Sequence, residues 1–189
     1  MTHRTLWMAA VLALPGLSGC SAPPATPQVR ALHQEVGQLN QQMRQLTRQA
    51  SALEIQGQLN SQSAQGAWLL PQANTPVALQ TQAGTLTFAL SPVEGDASGS
   101  RALLSVTPAA SHPLPAFSAT VEWGEMDPAS GKPLNAEHFS QTIHVAASLI
   151  PQQTVTVPLR LNGLPPARLG YVRVHEVLSA PAASAAAAP

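Results

Sequence analysis

The apolar residues of this chain keep two different spacings, and the place where one gives way to the other divides it into two kinds of structure. Val29, Val36, Met43 and Ala50 recur every seven residues, and Leu32, Leu39, Leu46 and Leu53 repeat that spacing three positions later. Apolar first and fourth positions over four heptads predict a coiled-coil-like helix across residues 28–60. At ~1.5 Å per residue it extends on the order of 40 Å. Valine and leucine in those positions favour a parallel two-stranded coil, hence a homo-oligomer. The flanking positions (His33, Asn40, Thr47; Gln42, Gln49, Gln56) are mostly uncharged and supply few ion pairs to select a partner. A single amphipathic helix laid against its own downstream domain stays open as the alternative. The register fails at Gly57 and Asn60, and the small polar residues 61–66 read as a linker.

From Ala67 the period drops to two. Leu86, Phe88 and Leu90 alternate with Thr85, Thr87 and Ala89; Phe117, Ala119, Val121 and Trp123 alternate with Ser118, Thr120 and Glu122; Val155, Val157, Leu159 and Leu161 oppose Thr154, Thr156 and Arg160. Further strands are predicted at Val77–Gln82, Arg101–Thr107, Thr142–Ala147 and Gly170–Val177. Such runs, broken by Gly, Pro and Asp, predict an all-β, immunoglobulin-like β-sandwich of about seven strands over residues 67–178. Pro158 lacks an amide donor, so its strand belongs at an edge. Gly95–Ser100 and Asp127–Gly131 read as hairpin connections. Tyr171 is placed to pin a corner or to sit half-buried. Residues 179–189 are an Ala/Pro tail expected to be disordered.

The amino terminus constrains location. Residues 1–19 order a basic start (His3, Arg4), an apolar stretch from Leu6 to Leu17 and then small residues, as a secretion signal does. The junction Leu17, Ser18, Gly19, Cys20 resembles the bacterial lipobox, which implies cleavage before Cys20 and diacylglycerol on its sulfur. Cys20 is the one cysteine of the chain, so no disulfide competes for it. Two or three acyl chains at about 0.8 kcal/mol per buried CH₂ hold a protein on a bilayer, which makes the membrane a partner through the anchor. Ser21 after the cysteine implies an outer-membrane, periplasm-facing protein. The prolines within residues 20–27 make an extended spacer.

Charge and motifs exclude several functions. Nine basic against nine acidic residues leave no field for nucleic acid. The chain holds no nucleophile elbow, phosphate loop, zinc signature or dinucleotide fingerprint, and no cofactor is implied. His138, His144, His175, Glu137 and Glu176 are metal-ligating residue types, but a six-residue spacing on one strand separates two histidines by roughly 20 Å. They read as surface residues, and so do Glu122 and Glu125 beside Trp123, whose pairing would otherwise suggest glycan hydrolysis. Most aromatics are needed by a core, and Trp68 at the linker–domain junction reads as packing the helix down.

Trp68, Leu69, Leu70, Pro71, then Thr75 and Pro76, the run Gln82–Leu90, the stretch Pro113–Gly124 and the ending Leu169–Val177 together resemble the YajI-like bacterial lipoproteins, a domain of unknown function. The resemblance covers the lipobox, the Gln-rich helix and the β domain; Asp127–Asn135 and the tail look peculiar to this chain. It implies location and architecture and assigns no functional residue. The expectation is a non-enzymatic structural or protein-interaction module of the envelope, with an envelope protein as partner. A ligand-binding module for peptidoglycan or another envelope glycan is the alternative.

Overall fold

The computed structural model describes residues 27–82, 84–111, 113–145 and 149–179, apart from the side chains of residues 135–137. The signal segment, the lipobox Leu17, Ser18 and Gly19 with Cys20, and the tail beyond Ser179 lie outside these residues. The chain separates into two compact units, Met1–Asn40 and Gln41–Pro189. In the first, the described residues are the opening turns of helix α1 (Pro27–Ser61), all exposed. Pro27 suits a first helical position, where the missing amide would have had no partner.

Among its described residues the second unit carries the rest of α1 and nine strands: β1 (Gly66–Leu69), β2 (Val77–Thr81), β3 (Gly84–Leu90), β4 (Glu94–Asp96), β5 (Gly99–Pro108), β6 (Phe117–Met126), β7 (Pro133–Val145), β8 (Val155–Asn162) and β9 (Tyr171–Ser179). They form two antiparallel sheets. One has the order β1-β9-β6-β7; the other has β2-β3-β5-β4, with β8 on the opposite side of β5. The inward residues of both sheets make one core, in which Leu86, Phe88, Leu104, Val106, Leu159 and Leu161 face Ala119, Val121, Trp123, Val172 and Val174. Trp123 stacks on Phe139 at 6.0 Å and donates its indole N–H to the Asn162 carbonyl. The architecture is therefore mostly β and sandwich-like with one N-terminal helix, as the drop to period two predicts.

Three strands and one side chain differ from the sequence expectation. β1 forms at Gly66–Leu69, where no strand is predicted and Gly66 reads as linker. β4 takes up the first two residues of the Gly95–Ser100 segment read as a connection, together with Glu94, and it pairs with β5 through Glu94↔Arg101 and Asp96↔Gly99. β7 begins at Pro133, where a strand is predicted only from Thr142; among the described residues it pairs with β6 alone, and an edge strand needs no continuous apolar alternation. Tyr171 is neither half-buried nor bonded to a backbone corner. It is 2 % exposed and lies across Gly124, its register partner, where an added Cβ would come within 2.9 Å of the ring. Pro158 sits on β8, whose one ladder is to β5 among the described residues. Its partner Leu103 turns its amide and carbonyl to Ser91, so the pair is not hydrogen-bonded and the missing donor faces the free edge.

α1 is fastened to the β unit by two side-chain amides one turn apart. Gln56 accepts from the Leu70 amide at 2.8 Å and donates to the Thr75 carbonyl at 3.2 Å. Asn60 accepts from the Trp68 amide at 2.9 Å and donates to the Trp68 carbonyl at 2.8 Å. Among the described residues β1 pairs with β9 alone, and these amides stand where a further strand would. Gln56 is 3 % exposed, so removing it strands a buried donor. Gln56→Ala is expected to lower stability by about 1–3 kcal/mol in urea denaturation, whereas Gln42→Ala, on an exposed turn, stays within ~0.5 kcal/mol. Equal losses would refute this docking.

Candidate functional site

The heptad seam and the face that docks on the β unit are different faces of α1. Among the large seam residues, exposure runs from 42 % at Val29 to 64 % at Leu46, with Leu32, Val36, Leu39, Met43 and Leu53 between, and Ala50 is exposed too. From Gln41 onward the residues that turn inward are Ala52, Ile55, Gln56 and Leu59. At 100° per residue their mean direction lies about 150° from the line through Met43, Leu46, Ala50 and Leu53. The two sequence alternatives are thus not exclusive: the last turns of the helix pack on their own domain, and the seam stays bare.

Beneath those last turns lies a second apolar cluster, in which Ala52, Leu70, Ala73 and Tyr171 are buried and Ile55, Leu59, Trp68 and Met126 pack around them. Trp68 meets Tyr171 at 5.1 Å between ring centroids, and the Arg173 guanidinium lies 4.8 Å over the Trp68 ring. Trp68 packs the helix down, as its position at the junction suggests.

The same sheet face carries a polar network around Glu122. Tyr171 donates to Glu122 Oε1 at 3.0 Å, while Arg173 Nη1 and His175 Nε2 approach Glu122 Oε2 at 3.8 and 3.5 Å. The β6–β9 register shifts between Ser118 and Thr120, and Glu176 occupies that bulge with φ 52°, accepting from the Thr120 hydroxyl at 2.9 Å. Glu125 pairs instead with Arg168, so Glu122 and Glu125 have separate partners. His138 and His144 stand on β7 and His175 on β9, and no group of three His, Cys, Asp or Glu among the described residues is placed to hold a metal.

Burial, followed by the charge of Glu122 and the hydrogen bond to it, pushes the Tyr171 phenol above its ordinary pKa. The folded phenol keeps its proton to higher pH than the unfolded one. The stability it adds is whole below the ordinary phenol range and is lost as pH rises through the folded value. Tyr171 is the sole tyrosine, so ultraviolet titration reads it alone. The phenolate signal is expected above the ordinary phenol range in native protein and within it after denaturation; identical curves would contradict this environment.

Spacing could not reveal Gln56, Asn60 or the partners of Glu122, because each acts through a neighbour distant in sequence. No helix of the described residues is long and apolar enough to cross a membrane.

Three comparisons place the chain among known proteins. The profile of a family described as "Protein of unknown function (DUF3251)" matches residues 24–186. The uncharacterized lipoprotein YajI of Escherichia coli (strain K12) is 35 % identical over 167 residues, which is 88 % of this chain and 93 % of that protein. The solution structure of that lipoprotein is similar with a TM-score of 0.64 at 34 % identity, over 70 % of this chain and 79 % of the other. The trimeric lipoprotein SadB of Salmonella enterica shares the fold at 17 % identity, with a TM-score of 0.54 over 81 % of this chain and 86 % of that one.

Proposed function

The chain belongs to the DUF3251 family, and from that premise we propose that it is a non-enzymatic envelope lipoprotein, anchored through Cys20, whose copies associate through the bare helical seam. The observation that carries this reading is the exposure of the large residues from Val29 to Leu53 along α1 while the helix docks through its other side. An apolar stripe of this length stays out of water when copies pair it. Two further facts support it. A relative of more than one-third identity is a lipoprotein, and a protein of the same fold is trimeric. Fastening every chain by the same end aligns the helices in parallel and raises their local concentration.

In this reading the lipobox Leu17, Ser18, Gly19 directs acylation of Cys20, and Ser21 directs outer-membrane delivery with the protein facing the periplasm. The helix sets the stand-off, and the β unit, an immunoglobulin-like sandwich, is presented for contact with envelope proteins. The absence of a nucleic-acid field in the sequence agrees with that partner class.

Analytical ultracentrifugation of the Cys20→Ser mature chain tests association. A discrete oligomer is expected, and Leu39→Asn combined with Leu46→Asn weakens it by at least ~100-fold while the β signal in circular dichroism is unchanged. A wild-type chain that stays monomeric would sink the assembly. In cells, Cys20→Ser is expected to leave the protein in the soluble periplasmic fraction; membrane fractionation that survives salt washing would sink the anchor.

A further inference from the structure

The outward face of the second sheet carries a charge arrangement that the assembly reading does not use. Glu94, Arg101 and Arg160 are direct register partners across β4, β5 and β8, so their side chains stand in one row on one face. Two arginines directly opposite each other repel. Glu94 answers one of them: Arg101 donates to Glu94 Oε2 from Nε at 3.0 Å and from Nη2 at 2.7 Å. Arg160 is exposed and meets no acidic group among the described residues. The row is one carboxylate short.

The surroundings define what that carboxylate should be attached to. A cleft of about 660 Å³ lies over the row, lined by Glu94, Asp96, Arg101, Leu103, Pro158 and Arg160 among others. Leu103 and Pro158 are partners two residues further along the same strands, about 7 Å from the arginines, and Leu103 is 48 % exposed. Asp96, two residues from Glu94 on β4, puts a second carboxylate at the other side of the cleft. Two guanidinium and two carboxylate groups sum to zero charge, so the cleft attracts no polyanion. It offers a guanidinium for a carboxylate, acidic oxygens for an ammonium and an apolar patch for a short alkyl group.

We infer that this cleft binds zwitterionic peptides, with Arg160 and Arg101 holding the carboxylate, Asp96 and Glu94 facing the ammonium, and a small apolar side chain resting on Leu103 and Pro158. Arginine suits this task because its fork meets a carboxylate with two parallel hydrogen bonds. The frame is set before binding. Ser100 donates to the Leu164 carbonyl at 2.6 Å, the Ser98 hydroxyl donates to Asn162 Oδ1 at 2.8 Å, and the Gly163 amide donates to the Ser98 carbonyl at 2.9 Å, all joining the start of β5 to the end of β8. Pro158 breaks the outward ladder of β8, so an extended chain gains no continuous backbone pairing there. Recognition passes through side chains. The site is independent of helix association, and peptide groups of this kind occur both in free oligopeptides and in the side peptides of murein.

Titration of the full mature chain carrying Cys20→Ser with alanyl-alanine, followed by amide resonances, tests the site. Saturable shifts centred on Arg101, Leu103 and Arg160 are expected. Arg160→Gln, an exposed change that leaves the core alone, should weaken binding at least tenfold, and so should amidation of the dipeptide carboxylate; acetylation of its amine should weaken it severalfold. Failure to saturate, or equal binding by Arg160→Gln, overturns the inference. Purified murein sacculi separate the two sources: retention that is lost in Arg160→Gln assigns the site to wall-borne peptide, and dipeptide binding without retention assigns it to free peptide.

Discussion

Two amide side chains, Gln56 and Asn60, hold the helical and β parts of the second unit together. A side-chain amide presents N–H donors and a carbonyl acceptor side by side, so it can meet the amide and carbonyl of a strand as a neighbouring backbone does. Asn60 uses both on the same residue, Trp68, and Gln56 spans from Leu70 to Thr75. The exposed side of a short strand is thereby covered by a helix without any sequence of strand character. The apolar contacts of Ala52, Ile55 and Leu59 follow from that placement, since a helix fixed by residues 56 and 60 must turn its neighbouring positions toward Leu70, Ala73 and Tyr171.

From the same docking comes the division of labour on α1. A heptad stripe and a domain-packing face could have competed for the same residues, in which case packing would have hidden the seam. They do not, because the docking residues fall about 150° from the seam. One helix can therefore face its own domain and a partner helix at once. The polar network at Tyr171 is joined to this arrangement through Trp68, which touches Tyr171 and Arg173. A change at Glu122 would be felt at the helix through two aromatic rings.

Legibility followed burial. β3, β6 and the inner half of β8 were readable because one face is in the core and the other in water, which writes period two into residues such as Phe117, Ala119, Val121 and Trp123. β4 is three residues long and exposed throughout, and Glu94–Gly95–Asp96 looks like a turn to any rule based on hydropathy. The first half of β7 is polar on an edge. The helix was legible as a heptad, and the loss of register at Gly57 and Asn60 marked where its role changes. What could not be read was which of many glutamines is buried: Gln42, Gln49 and Gln56 share a heptad position, and only contact with Leu70 and Thr75 separates the last from the others. The arginine row was equally hidden, since Arg101 and Arg160 meet only through strand pairing.

A strand that ends a sheet can recruit another copy's strand as readily as its own neighbour. Where many copies share a surface, each would be such a template for the next. Pro158 puts a gap in the outward hydrogen-bonding row of β8, halfway along its eight residues. Two copies meeting edge to edge there would find no unbroken ladder to extend.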